Sequence, residues 1–143
     1  MNSPAIIVDG AIRQPKSFTH EDLAGFPAET RIADVSTVVP HRRGEAVRLA
    51  CLLDESQSEA VATHVTLRSA DGFSASIPLK DVRETGLIIF QLDGQALPDS
   101  AGGPFRFLIP NAAACRTAEI DACANVKMLA RIELTVGKGC DTR

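Results

Sequence analysis

The chain has 143 residues, enough for one domain of ordinary size. Its hydrophobic share of 45%, with six Phe and neither Trp nor Tyr, sets up a largely aliphatic core. A formal net charge of -3 argues against a general nucleic-acid binder, and no apolar run reaches the length of a membrane span. The opening MNSPAIIVDG has neither a basic n-region nor an apolar h-region, so no signal peptide and a cytoplasmic location are expected.

In chain order, residues 5–8 form a short apolar run closed by Asp9-Gly10, which predicts a strand and a turn. In SFTHEDLAGFP, Thr19 suits a helix N-cap with Asp22 three residues on, and Phe18 and Leu23 are spaced as a hydrophobic staple. Gly25 and Pro27 stop that helix after about two turns. Residues 31–39 are rich in β-branched side chains and predict a strand. A basic loop, Pro40-His41-Arg42-Arg43-Gly44, follows. EAVRLACLLDES then predicts an extended piece and a short helix carrying Leu49, Leu52 and Leu53.

THVTLRSADGFSASIPL predicts a hairpin about Asp71-Gly72, with Val65 and Leu67 alternating on one arm and Phe73, Ala75, Ile77 and Leu79 on the other. Residues 87–92 predict a strand running into a turn at Asp93-Gly94. Gly102-Gly103-Pro104 opens another strand, in which Phe105, Phe107 and Ile109 face one way and Arg106 the other. A last strand is expected over residues 132–136, with a frayed tail from Gly137. The sum is a single α+β domain spanning 1–143, mostly β, with two or three short helices.

Cys51, Cys115, Cys123 and Cys140 show no C-x-x-C spacing, so free thiols are the default, with a Cys115–Cys123 redox pair as the alternative. The three histidines are scattered and make no metal set; His20 is expected to be exposed and His64 structural. No phosphate loop and no G-x-S-x-G elbow occur. His41-Arg42-Arg43 is the basic cluster, readable as a solvated loop or as an anion contact.

The order of these segments resembles the oxidoreductase molybdopterin-binding domain, the sulfite-oxidase fold. VDGAIRQPKSFTHEDLAGFP is similar to its entry segment, RLACLLDES to its short helix, and SADGFSASIPLKDV to its DG hairpin. LDGQALPDSAGGPFRFLIP matches the form L-x-G-x-x-L-P-x-x-x-G-G-P-x-R-x-x-x-P, the most specific segment, and NVKMLARIEL is similar to the closing V-K-W-x-x-x-I-E-L. Together they cover residues 6–136. The resemblance implies a molybdenum ion held by a pyranopterin dithiolene and one cysteine thiolate, with basic residues on the pterin phosphate. Soft sulfur donors suit the metal, and Arg and Lys suit phosphate oxygens.

Carried onto this chain, the resemblance points to Arg106 and Lys127 as cofactor-binding residues; the basic loop adds His41 and Arg42 to that set, and no catalytic or metal residue is expected. Arg106 is also readable as a solvated strand residue or as one that closes a turn through carbonyl contacts, and Lys127 as an ordinary surface lysine. The chain departs from the pattern where the thiolate belongs: DVSTVVPHRRGEAVRL holds no cysteine, and Ser36 to Pro40 occupies the place. Cys51 aligns within the short helix, as core filler. Met128 stands where the family commonly has Trp. The chain is also short for a protein that wraps a large cofactor.

Three readings follow. One is a ligand-binding or regulatory module for an anionic or pterin-like small molecule, without molybdenum redox catalysis. Another is a working molybdenum oxidoreductase whose site is non-standard or completed by a partner. The third is an interaction module pairing through an exposed strand edge.

Overall fold

The computed structural model describes residues 4–39, 42–110 and 126–142. The described residues form two five-stranded sheets that pack against each other. The first sheet has the order β2-β1-β10-β5-β6, built from β1 (Ala5–Gly10), β2 (Lys16–Thr19), β5 (His64–Ser69), β6 (Ser74–Pro78) and β10 (Leu129–Thr135). The second runs β3 (Arg31–Ile32), β4 (Glu45–Arg48), β7 (Leu87–Leu92), with β8 (Gln95–Ala96) and β9 (Arg106–Leu108) both pairing with β7. Among the described residues, three short helices accompany the sheets of this mostly-β α+β domain: α1 (His20–Ala24), α2 (Leu49–Glu55) and α3 (Leu79–Val82). None among the described residues is long and apolar enough to cross a membrane.

The main core lies between the sheets. Ile6, Val8, Val65, Leu67, Ile77, Ile132 and Leu134 of the first sheet meet Val47, Ile88, Phe90 and Phe107 of the second. Leu49, Leu52 and Leu53 of α2 join them, as their helical spacing requires. The second sheet is apolar on its other face too. There Ala46, Leu87, Ile89 and Leu108 are covered by Val35 and Leu97, with Ile32, Val39 and Ala101 packed around them.

Local chemistry fixes several elements as expected. The Thr19 side chain accepts from the Asp22 N–H at 3.2 Å, and the Asp22 carboxylate accepts from the Thr19 N–H at 2.9 Å, so α1 starts in a capping box. Asp93 and Gly94 both adopt positive φ, 52° and 79°, as a two-residue turn between β7 and β8 demands.

Other elements differ. The strand expected over 31–39 stops at Ile32, and Val35–Thr37 forms a 3-10 turn. Asp34 accepts from the Ser36 N–H at 3.0 Å and its hydroxyl at 2.6 Å, while the Thr37 hydroxyl donates to the Asp34 carbonyl at 2.7 Å. These short-range bonds outcompete a sheet ladder. The turn expected at Asp9-Gly10 is instead the end of a longer β1, paired in parallel with β10, and Asp9 receives Arg131 at 2.6 Å. β2 carries no alternation in the sequence and exists because β1 pairs with it. In the β5–β6 hairpin only Gly72 takes positive φ; Asp71 instead accepts from the Ser69 hydroxyl and the Phe73 N–H.

The tail from Gly137, expected to fray, is laid along the edge of β6. The Thr142 N–H donates to the Ser74 carbonyl at 2.9 Å, the Gly139 N–H to the Ser76 hydroxyl at 2.8 Å, and the Ser76 N–H to the Asp141 carboxylate at 3.1 Å. This cover explains why Thr66 and Ser76 are fully buried on what the alternation makes a polar face.

Candidate functional site

The segment from Leu97 to Arg106 is a tight double turn. A 3-10 turn at Asp99–Ala101 ends on Gly102, whose φ of 92° is left-handed. At Gly103 a Cβ would lie 1.9 Å from the Leu97 carbonyl oxygen, so only glycine lets the chain pass there. Phe105 then enters the core and Arg106 turns to the other face of β9.

The strand approach to β10 zips onto this turn. The Met128 N–H donates to the Gly102 carbonyl at 2.8 Å, the Phe107 N–H to the Val126 carbonyl at 2.8 Å, and the Leu129 N–H to the Phe105 carbonyl at 2.7 Å. Lys127 is thereby set against Arg106. A Cβ on Gly102 would meet Arg106 Cδ at 3.1 Å and Lys127 Cγ at 3.2 Å, so both stems pack on the bare glycine.

Arg106 is half-buried. Its Nη1 donates to the Ala101 carbonyl at 3.4 Å, the turn-closing contact foreseen as one reading, and its Nε is shielded with no hydrogen-bond partner. Burial, and after it the charge of Arg42, lower the pKa of this guanidinium. Arg42 therefore lies within electrostatic reach of Arg106. Among the described residues neither arginine, nor the exposed Lys127, has a carboxylate at ion-pair distance. Arg43 is different: its Nη2 meets Asp93 Oδ1 at 3.0 Å, so it is already neutralised.

Of the four residues singled out from the sequence, Arg106 and Lys127 thus meet at Gly102, and Arg42 lies within electrostatic reach of Arg106. The fourth, His41, lies outside the described residues, as do Cys115 and Cys123. Sequence reading placed Lys127 and Arg106 in separate motifs; it gave no sign that Gly102 joins them. It also expected His20 to be exposed, whereas the ring packs on Phe90 with centroids 5.4 Å apart and Nε2 shielded.

The segment from Ser36 to Pro40, where the resemblance would put a metal-ligating thiolate, holds no cysteine, and the residues around it are spent on structure. Val35 is fully buried in the second core cluster, and Asp34, Ser36 and Thr37 spend their polar atoms on the 3-10 turn. Cys51 sits on α2, half-buried, its thiol directed to the Thr30 carbonyl at 3.9 Å. Cys140 is exposed on the tail. No group of three or more His, Cys, Asp or Glu that could hold a metal occurs among the described residues.

The model of the family described as the oxidoreductase molybdopterin binding domain matches residues 3–138. The chain belongs to this family. As a member of the molybdopterin-binding domain family it also shares its fold with a solved structure, the sulfane dehydrogenase SoxCD from Paracoccus pantotrophus. That match has a TM-score of 0.70 at 20% identity, and covers 94% of this chain but 39% of the other. The chain therefore spans about two-fifths of that chain's length. A comparison with curated protein sequences finds no match.

The family cofactor divides into two demands on the protein. The chemistry present suits a phosphate-bearing anion: two guanidiniums and an ammonium with no carboxylate at ion-pair distance among the described residues, one of them carrying a shielded, unsatisfied N–H. A thiolate bond to molybdenum is not met by Val35, Ser36, Thr37 or Val38, whose side chains are hydrocarbon or hydroxyl.

Proposed function

We propose that this member of the molybdopterin-binding domain family is a ligand-binding or regulatory module. It takes a phosphate-bearing, pterin-like anion and does not run thiolate-ligated molybdenum chemistry. The observation that carries this reading is Arg106 and Lys127 packed on Gly102, with Arg42 within electrostatic reach of Arg106 and none of the three in an ion pair among the described residues, in a chain where Ser36 to Pro40 takes the place of the thiolate. A desolvated arginine whose charge is opposed by a second arginine is costly in the free protein, and an anion between them offsets that cost. Arg106 and Arg42 would hold the phosphate oxygens by planar, charge-assisted hydrogen bonds, and Lys127 would add a mobile charge.

The test is to produce the protein in a host that makes the molybdenum cofactor, then measure molybdenum and phosphorus per chain by elemental analysis, and phosphate affinity by calorimetry. The expected result is phosphorus without stoichiometric molybdenum, and phosphate binding that Arg42→Ala and Arg106→Ala each abolish. Near-stoichiometric molybdenum would establish the oxidoreductase reading instead. Phosphate affinity unchanged in both variants would remove the anion site.

A further inference from the structure

A second cleft shares no residue with the cationic cluster. It lies at the His64 end of β5, whereas the other end, near Ala70, is bonded to Met128 beside Lys127. β5, six residues long, spans about 17 Å between these two ends. The cleft measures about 800 Å³, a volume suited to a small organic molecule. Its apolar wall comes from Ala60 and Ala62 of the α2–β5 connection and from Pro78 and Leu79 at the start of α3.

Three cationic or donor side chains stand around that wall: His64, Lys80 and Arg83. Arg83 is locked in place, with Nη2 on Asp54 Oδ1 at 2.6 Å, Nη1 on the Ser58 hydroxyl at 3.2 Å and Nε 3.8 Å from Glu84 Oε1, so its charge is already balanced and it offers the ligand N–H donors rather than a free cation. Thr63 Oγ1 accepts the Gly137 N–H at 2.7 Å and lies 2.9 Å from His64 Nδ1. In the tautomer where Nδ1 accepts the Thr63 hydroxyl hydrogen, the imidazole hydrogen is on Nε2, a donor for a ligand. Lys80 is exposed and has no ion pair among the described residues. Glu59 is the carboxylate on the cleft lining, and with Asp54 and Glu84 on Arg83 it leaves Lys80 as the unpaired cation of the cleft among the described residues.

The walls are braced by main-chain bonds. The Ala62 N–H donates to the Glu59 carbonyl at 3.1 Å, the Thr63 N–H to the Thr135 carbonyl at 2.9 Å, and the Leu79 N–H to the Thr63 carbonyl at 3.0 Å. A cleft held this way keeps its shape without a ligand, which lowers the entropic cost of binding.

We infer that this cleft binds a small organic carboxylate with a short apolar body, the body on Ala60, Ala62 and Leu79 and the carboxylate on Lys80, Arg83 and His64. An apolar pocket with a few convergent donors is the chemistry that recognises such an acid. The experiment is a two-dimensional amide NMR titration of the whole chain with sodium hexanoate, with 1-hexanol and hexylamine as controls. Hexanoate should shift the amides of residues 58–64 and 79–83 saturably, and bind more tightly than either control. Lys80→Glu should weaken it by about tenfold or more by reversing the charge, and Ala60→Trp should remove it by filling the cleft. Both positions are exposed, so both variants should keep the wild-type spectrum elsewhere. Arg106→Ala should leave the hexanoate titration untouched, which separates this site from the cationic cluster. No saturable shift in those segments, equal binding of hexanol, or indifference to Lys80→Glu would overturn the inference.

Discussion

Replacing Arg106 by methionine should stabilise the ligand-free protein while removing its response to phosphate. Methionine keeps a flexible apolar stem against Gly102 and discards a guanidinium whose Nε has no partner and whose charge faces that of Arg42. An unsatisfied buried donor costs about 1–3 kcal/mol, and the half-buried position takes the lower part of that range. The hydrogen bond that methionine cannot make, Nη1 to the Ala101 carbonyl at 3.4 Å, is long and worth little. A net gain of about 1 kcal/mol should therefore raise Tm by about 3–5 °C in a domain of this size. The pKa of Arg106 is lowered in the fold, so the cost of its charge is fully present below that pKa, which covers ordinary buffers. The assay is thermal denaturation followed by circular dichroism, with and without inorganic phosphate. In the parent chain, phosphate at ten times its Kd should add about 1.4 kcal/mol; in Arg106→Met it should add nothing. A lower Tm for the variant, or an undiminished phosphate shift, would refute the claim that Arg106 is held at a cost for an anion.

Three further outcomes are expected. Gly103→Ala should destabilise by about 4 kcal/mol or more, because its Cβ would sit 1.9 Å from a backbone oxygen, whereas Gly72→Ala, with open space but φ of 99°, should cost about 1–2 kcal/mol; urea denaturation compares them. Deleting residues 137–143 should cost about 2 kcal/mol net of chain ordering and speed amide exchange at Ser74 and Ser76, which the tail now bonds, as hydrogen-exchange mass spectrometry would detect. Hydroxyl and backbone donors lower the pKa of Asp34 and of Asp71, chiefly Ser36 for the first and Ser69 for the second. Their contribution is present above the ordinary aspartate value and is lost as pH falls through the lowered one, so Asp34→Asn with Asp71→Asn should flatten the Tm profile below about pH 4.

Much of this protein was legible in the order of its residues. Thr19 and Asp22 announce α1, Asp93-Gly94 announces a tight turn, and the apolar spacing of Leu49, Leu52 and Leu53 announces a buried helix face. These are local devices: their partners lie within a few residues, so spacing alone expresses them. In the long G-G-P-x-R segment, Gly103 answers to a close approach of the Leu97 carbonyl and Gly102 to a left-handed turn under the Arg106 and Lys127 stems.

What the sequence could not express is contact across long separations. Asp34 turned a would-be strand into a 3-10 turn, and Val35 then closed the second core cluster against strands far along the chain. The tail's hold on β6, Lys127's place beside Arg106, and the meeting of residues 58–64 with residues 78–83 all depend on sheet register and chain reversal. A pattern of polar and apolar residues records which face a side chain prefers. Which distant segment arrives to share that face is decided by the packing of the whole chain.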